Sequence, residues 1–175
     1  MTEQITSPKG MRDVVIVMGV SGTGKTTLAT ALAEAYKVRY VEADDYHPQA
    51  NIDKMAGGTP LTDADRWPWL HALRDEIELA LAQHQPLVVT CSALKQRYRD
   101  VLKRDGEPIC FVFLDGDFET IYARMQQRDH FMPAEMLQSQ FEALEPPTDA
   151  LRLPITLTTE VQRALVDRHL TRTIA

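Results

Sequence analysis

Five short apolar runs are separated along the chain by longer segments in which apolar residues recur at helical spacing. The runs cover Val14–Met18, Val38–Ala43, Pro86–Cys91, Ile109–Leu114 and Leu153–Leu157. Short continuous apolar runs are typical of parallel strands, because helices cover both faces of a parallel sheet. The alternation therefore predicts a three-layer α/β fold with a five-stranded parallel sheet.

The clearest helix between these runs begins at Thr62, where Asp65 stands three residues later as in a capping box. Its apolar stripe consists of Leu70, Leu73, Ile77 and Leu81. Further helices are predicted after the first run, near Asp117 and after Pro133. Ligands of parallel α/β sheets bind at the carboxyl ends of the strands, so the residues after each run are the first candidates for chemistry.

The residues after the first run form a glycine-rich loop of known chemistry. They read Gly19-Val20-Ser21-Gly22-Thr23-Gly24-Lys25-Thr26, the G-x-x-x-x-G-K-T pattern of a Walker A loop. In such a loop the backbone N–H groups bind phosphate oxygens, the lysine reaches the β- and γ-phosphates, and the Thr26 hydroxyl ligates Mg²⁺. We therefore predict that Gly19 to Thr27 bind the phosphates of a nucleotide.

Length and composition narrow the class of protein. The 175 residues suffice for one compact domain, which we place at 12–175 after a loose polar lead-in at 1–11. A formal net charge of −6 disfavours the wrapping of nucleic acid. We expect no signal peptide and no membrane span, since no apolar run is long enough. Cys91 and Cys110 lie in or beside apolar runs, as buried reduced thiols of a cytosolic protein do.

Two carboxylates, Asp44 and Asp45, close the second run. A carboxylate at that place orients Mg²⁺ or takes a proton from an attacking hydroxyl, whereas the alternative role is to cap the next helix. We expect one residue in each role and favour Asp44 as the functional one. No acidic residue ends the third run, so the second protein-side contact of the metal is expected to be water or Asp44.

The segment that follows is polar and rich in turn residues, as a substrate-side segment is. His47 and Lys54 also have ordinary interpretations, as a structural hydrogen-bonding residue and a solvated surface charge. Arg66 opposes the helix dipole in the first turn of the long helix. It either receives a substrate carboxylate or pairs with Asp63 or Asp65.

Two pairs of cations stand at i, i+4 spacing. Lys95 and Arg99 share a helical face, which indicates either an anionic ligand or a solvated basic surface. Arg124 and Arg128 precede a helix break at 129–133. After a Walker A loop, such a pair favours a lid that closes over phosphates, although an arginine pair alone is an ordinary surface feature.

Taken in order, these segments resemble the gluconate kinases. The similar blocks are the Gly19–Thr26 loop, Asp44-x-x-His47-Pro48-x-x-Asn51-Ile52-x-Lys54-Met55, Pro60-Leu61-x-Asp63-x-Asp65-Arg66-x-Pro68-Trp69-Leu70, Cys91-Ser92-Ala93-Leu94-Lys95-x-x-Tyr98-Arg99-Asp100, Leu114-x-Gly116-Asp117-Phe118, Arg124-x-x-x-Arg128 with His130-Phe131, and Met136-Leu137-x-x-Gln140-Phe141-x-x-Leu144-Glu145-Pro146. The match departs from the family pattern at Asp129, where a glycine is expected, and no family block is found in Leu153–Ala175.

The resemblance implies a small P-loop kinase of nucleoside-monophosphate-kinase-like architecture, with a helical substrate segment at about 45–70 and a short lid at about 124–134. It implies transfer of the γ-phosphoryl group of ATP, with Mg²⁺, to the 6-hydroxyl of D-gluconate. A cytoplasmic location and a homodimer follow by the same analogy.

The resemblance also implies roles for single residues. The expected catalytic residues are Lys25, Asp44, Arg124 and Arg128. The expected substrate-binding residues are Asp44, His47, Lys54, Arg66, Lys95, Arg99 and His130. The expected metal ligand is Thr26.

Two other functions are compatible with the same residues. The first is a kinase of another small hydroxy acid, such as shikimate or a different aldonate, because only the acceptor pocket would differ. The second is an ATP-binding module or switch without transfer activity. A GTPase is disfavoured, because the only asparagine, Asn51, begins Asn-Ile-Asp-Lys rather than Asn-Lys-x-Asp. A nucleotide kinase is disfavoured, because residues 47–60 resemble no base-binding domain.

Overall fold

Five strands form one parallel sheet in the computed structural model, which describes residues 11, 13–128 and 132–172. The strands are β1 (Val14–Met18), β2 (Arg39–Glu42), β3 (Leu87–Thr90), β4 (Ile109–Asp115) and β5 (Leu151–Pro154), in the order β2-β3-β1-β4-β5. Every neighbouring pair is parallel, as the apolar runs predict. The central strand β1 is buried along its whole length.

Seven helices accompany the sheet in the described part of the chain. They are α1 (Lys25–Tyr36), α2 (Gln49–Ala56), α3 (Asp63–Ala82), α4 (Gln96–Leu102), α5 (Phe118–Gln126), α6 (Ala134–Ala143) and α7 (Thr159–Arg172), and a single 3₁₀ turn covers Ala43–Tyr46. The three-layer α/β prediction is confirmed. Within the described ranges, no helix is both long and apolar enough to cross a lipid bilayer.

The fifth strand differs from its prediction. It begins at Leu151 and ends at Pro154, whereas the apolar run suggested Leu153–Leu157. The chain leaves the sheet at Ile155, whose backbone N–H donates to the Asp115 carbonyl at 2.9 Å, and turns towards α7. The end of the run therefore forms a turn, in which Ile155 is buried in the core without continuing the ladder.

Helix α3 begins as predicted, at a capping box. The Asp65 backbone N–H donates to the Thr62 hydroxyl at 3.2 Å, and the Thr62 N–H donates to the Asp65 carboxylate at 2.8 Å. Its buried residues include Trp69, Leu70, Leu73 and Ile77, which belong to the main core. The Trp69 indole N–H donates to the Ala43 carbonyl at 2.7 Å, which holds the start of α3 beside the end of β2.

An ion pair between a buried arginine and a partly buried glutamate joins α3 to the segment before β4. Arg74 is 5% exposed and donates to both carboxylate oxygens of Glu107, at 2.6 and 2.7 Å, and to the Leu102 carbonyl at 3.0 Å. Removing one partner of a buried pair leaves the other charge uncompensated. We expect Arg74→Leu to lower the free energy of unfolding by about 3 kcal/mol in urea denaturation.

The control for this prediction is Arg39→Leu, which breaks an ion pair with Glu76 in which the arginine side chain is 52% exposed. That loss is expected to stay below about 1 kcal/mol, as for other exposed pairs. Equal losses in the two variants would contradict the structural role given to Arg74.

Candidate active site

The loop between β1 and α1 surrounds a space in which backbone N–H groups are available for a phosphate. Gly22 and Gly24 have φ angles of +79° and +91°, which favour glycine. A Cβ atom at Gly22 would lie 2.6 Å from the Met125 side chain. The Lys25 ammonium donates to the carbonyls of Gly19 and Val20, at 3.0 and 2.9 Å, and so lies within the loop.

The carboxylate of Glu42 faces this loop from the end of β2. It accepts hydrogen bonds from the hydroxyls of Thr26, at 2.9 Å, and Tyr40. The sequence interpretation passed over Glu42 in favour of the two aspartates that follow. The available signal was its position as the last residue of a strand, at the edge of the sheet where ligands of parallel α/β folds bind.

Asp44 lies in the 3₁₀ turn on the same side of the loop. The surrounding protein raises the pKa of its carboxyl by desolvation, and the Lys25 ammonium lowers it. Desolvation likewise lowers the pKa of Lys25, against the attraction of Asp44. The prediction that one of the two aspartates caps the next helix was wrong, because α2 begins after Pro48 without a side-chain cap.

Two cavities meet at the side chains of Lys25, Glu42 and Asp44. One of about 330 Å³ is lined by Gly22, Gly24, Thr26, Thr27 and Arg128, among others, and we call it the nucleotide-side cavity. The other, of about 370 Å³, is lined by His47, Arg66, Trp69, Ser92 and Met136, among others, and we call it the acceptor-side cavity. Lys25, Glu42 and Asp44 line both. A phosphoryl donor in one cavity would therefore face an acceptor in the other across these three side chains.

Arg66 points its guanidinium towards the acceptor-side cavity without a carboxylate partner among the described residues. Its Nη1 donates to the Tyr98 hydroxyl at 2.9 Å, and its guanidinium carbon lies 5.3 Å from the centre of the Tyr98 ring. The alternative of an ion pair with Asp63 or Asp65 is wrong, because those carboxylates bind other cations.

Lys54 and Lys95 neutralise those carboxylates instead of lining either cavity. The Lys54 ammonium lies 2.7 Å from Asp65, and the Lys95 ammonium lies 3.0 Å from Asp63. The pKa of Asp63 is lowered to about 2 by the hydrogen bond from Tyr98 and then by Lys95, and the pKa of Asp65 is lowered to about 2 by Lys54 and then by Thr62. The structure therefore does not bring either lysine to a cavity wall, contrary to the direct substrate contacts predicted for them.

Arg99 does not share a solvated basic face with Lys95, contrary to the helical-spacing argument. It is 3% exposed, and its guanidinium donates to the carbonyls of Ala93, at 2.7 Å, and Glu145, at 2.8 Å. It lines neither cavity. We therefore assign Arg99 to the scaffold, where it joins the start of α4 to the residues after α6.

Arg124, which lies in α5, and Arg128, which follows its end, differ in placement. Arg128 lines the nucleotide-side cavity. Arg124 lines neither cavity and donates to the Ile155 carbonyl at 2.9 Å, which ties α5 to the turn after β5. The predicted lid is described only in part, and His130 lies outside the described residues.

Gln140 of α6 binds the phosphate loop through both ends of its amide. Its Oε1 accepts from the Ser21 backbone N–H at 2.7 Å, and its Nε2 donates to the Ser21 hydroxyl at 3.0 Å. Gln140 lines the acceptor-side cavity, and Ser21 lines both cavities. The sequence interpretation gave Gln140 no role, and no local signal marks a contact between residues so far apart in the chain.

Comparisons with known proteins agree with this geometry. The AAA domain family matches residues 14–147. The thermosensitive gluconokinase of Escherichia coli K12 is 48% identical over 133 residues, which cover 75% of this chain and 71% of that protein. The gluconokinase of Gluconobacter oxydans 621H is 47% identical over 150 residues, covering 85% of this chain and 84% of its own. The crystal structure of a gluconokinase from Sinorhizobium meliloti 1021 superposes with a TM-score of 0.85 at 39% identity, covering 94% of this chain and 95% of that one.

Proposed function

The chain belongs to the gluconokinase family, and we propose that it transfers the γ-phosphoryl group of ATP to the 6-hydroxyl of D-gluconate, giving 6-phospho-D-gluconate. The observation that carries the reaction type is the meeting of two cavities at Lys25, Glu42 and Asp44. In-line phosphoryl transfer depends mainly on the positioning and charge stabilisation that such an arrangement supplies.

The phosphate loop binds the donor. The backbone N–H groups of Gly22, Thr23 and Gly24 and the Lys25 ammonium hold the β- and γ-phosphates, and the positive end of α1 points at the same anion. Arg128 adds a second cation from the wall of the nucleotide-side cavity. Arg124 is less well placed for this role, because its guanidinium is bound to the Ile155 carbonyl.

Mg²⁺ suits the oxygen atoms present at this point. Thr26 would hold it, and the Glu42 and Asp44 carboxylates line the same cavity. Hard oxygen donors are the ligands that Mg²⁺ prefers. The described residues contain no cluster of three or more metal-binding side chains, which fits an ion bound largely through substrate phosphates and water. When bound, the ion neutralises charge on the transferred group.

The acceptor-side residues divide into direct and indirect contacts. Arg66 receives the gluconate carboxylate, since its planar fork suits that group, and His47 contacts a hydroxyl. Asp44 orients the 6-hydroxyl and accepts its proton during transfer. Lys54 and Lys95 act through the carboxylates that they neutralise.

We expect Arg66→Ala to raise the KM for gluconate roughly 10- to 100-fold, the size of a hydrogen bond to a charged group, with the KM for ATP within about twofold. Steady-state kinetics with each substrate varied in turn measures both values. Arg97→Ala is the control, because Arg97 is exposed, lines neither cavity and pairs with Asp63. A change confined to the KM for ATP would assign Arg66 to the phosphates instead.

Gluconate is distinguished from other acceptors by an ADP-release assay with gluconate, shikimate and several aldonates. We expect the strongest stimulation with gluconate. Failure of gluconate to stimulate release would overturn the proposal. Stimulation by another acid alone would favour the second kinase function, and acid-independent hydrolysis alone would favour an ATP-binding module.

We further propose a cytoplasmic location, a homodimer, and a single domain at 12–175. The family resemblance supports the first two, and the single contiguous core supports the third. Light scattering after size-exclusion chromatography tests the dimer, since a monomer mass at micromolar concentration would contradict it.

A further inference from the structure

The ring of His47 is held flat against an anchored tryptophan at the edge of the acceptor-side cavity. The two rings stack with their centres 4.2 Å apart and their planes 15° from parallel. Trp69 is 2% exposed, and its Nε1 donates to the Ala43 carbonyl at 2.7 Å. Trp69 therefore covers one face of the His47 ring and fixes the plane in which its two nitrogens lie.

One ring edge is occupied by Asn51, which is 5% exposed. The Asn51 Nδ2 atom lies 2.9 Å from the Asp65 carbonyl oxygen and 3.3 Å from His47 Nδ1. A carbonyl oxygen only accepts hydrogen bonds, so the NH₂ side of the amide must face Asp65. The orientation of the Asn51 side chain is therefore determined by its surroundings.

This orientation determines the proton on His47. An amide NH₂ group only donates, so His47 Nδ1 must accept and carries no proton. A neutral imidazole then carries its proton on Nε2. Nε2 has no hydrogen-bond partner in the part of the chain that the structure describes, and His47 lines the acceptor-side cavity.

We propose that Asn51 is a positioning residue that presents His47 to the acceptor as a neutral imidazole with a donating Nε2–H. The acceptor must then offer an oxygen lone pair at that place, as the hydroxyl or carboxylate of a polyhydroxy acid does. An acceptor with an ammonium group there would meet a donor. The identity of the acceptor rests on the proposed function, whereas the state of the His47 ring does not.

The charges around the ring agree with a neutral imidazole. Burial, and then the Arg66 cation, lower the pKa of His47 to about 4. A second cation beside Arg66 is therefore avoided near neutral pH. The acceptor-side cavity thus combines the charged Arg66 guanidinium, which suits a carboxylate, with the neutral His47 Nε2–H, which donates to an oxygen.

The ring state is tested by NMR on the ligand-free protein with ¹⁵N-labelled histidine. Long-range ¹H–¹⁵N correlations at pH 7 should show the Nε2–H tautomer for His47, assigned by the loss of its signals in His47→Gln. Asn51→Asp offers a carboxylate that accepts from Nδ1–H, so the tautomer should switch. Asn51→Ser removes the fixed NH₂ donor without adding a charge, so a mixture of the two His47 tautomers is expected. An Nδ1–H tautomer in the wild type, or an unchanged tautomer in both variants, would overturn the proposal.

Kinetics tests the consequence for the acceptor. Asn51→Ser and His47→Phe, which retains a ring against Trp69, should each raise the KM for gluconate roughly tenfold, with kcat and the KM for ATP within about twofold. His47→Gln restores a donor and should recover part of the loss. Gln49→Leu is the matched control, because Gln49 is exposed on the same helix, lines neither cavity and donates to Asp53.

The proposed function and the assignment of Asn51 can each fail without the other. If gluconate is not phosphorylated but the Nε2–H tautomer is observed, the proposed function fails and the assignment of Asn51 stands. If gluconate is phosphorylated and Asn51→Ser leaves its KM unchanged, the role of Asn51 in acceptor binding is refuted.

Discussion

Replacing Lys25 with alanine is expected to abolish phosphoryl transfer, with kcat lowered by about 10³-fold or more. The ammonium lies inside the phosphate loop, bound to the carbonyls of Gly19 and Val20, and lines both cavities. A preorganised cation at that point stabilises the charge that develops on the transferred group without reorganisation. The coupled ADP-release assay measures the loss.

Two controls make the Lys25 result specific. Thermal unfolding should show that Lys25→Ala remains folded. Lys37→Asn removes an exposed lysine at the other end of α1, where φ is +55° and asparagine is tolerated, and its turnover should match that of the wild type. Substantial turnover in Lys25→Ala would refute the interpretation of this loop as the site of transfer.

Asp44→Asn is expected to lower kcat by about 10²- to 10⁴-fold, the usual range for a lost general base. The amide keeps the size of the side chain and cannot accept the hydroxyl proton as a carboxylate does. The Kd for ATP, measured by calorimetry, should change little, because the phosphate loop is intact.

Asp45→Asn is the matched control for this second prediction, since Asp45 is the adjacent carboxylate and lines neither cavity, whereas Asp44 lines both. Its kcat should stay within about twofold of the wild-type value. If both variants retain kcat, Asp44 has a structural or orienting role and another group accepts the proton.

The phosphate loop and the sheet were predictable because their signals are local. The order of strand, glycines and helix lies within about twenty consecutive residues. A continuous apolar run identifies a strand that is buried on both faces of the sheet. The fifth strand was displaced because threonines weaken its run, and local pattern does not decide where a chain leaves a sheet. Family-like blocks, rather than spacing, distinguished one acceptor from another.

The parts of the site that escaped prediction depend on contacts between distant elements. Glu42 meets Thr26 only because β2 and α1 end and begin at the same edge of the sheet. Arg99 shows what helical spacing alone cannot predict. Helical spacing identifies which residues share a face, but it does not say whether that face meets solvent or main-chain carbonyls.

The double hydrogen bond between Gln140 and Ser21 has a consequence for redesign of the enzyme. Helix α6 lines the acceptor-side cavity and is hydrogen-bonded to the phosphate loop, so it is not structurally independent of the donor site. A graft of α6 from a kinase with another acceptor would need residue 21 to be exchanged with it. Libraries that vary residues 21 and 140 together should therefore yield more active recombinants than libraries that vary either alone.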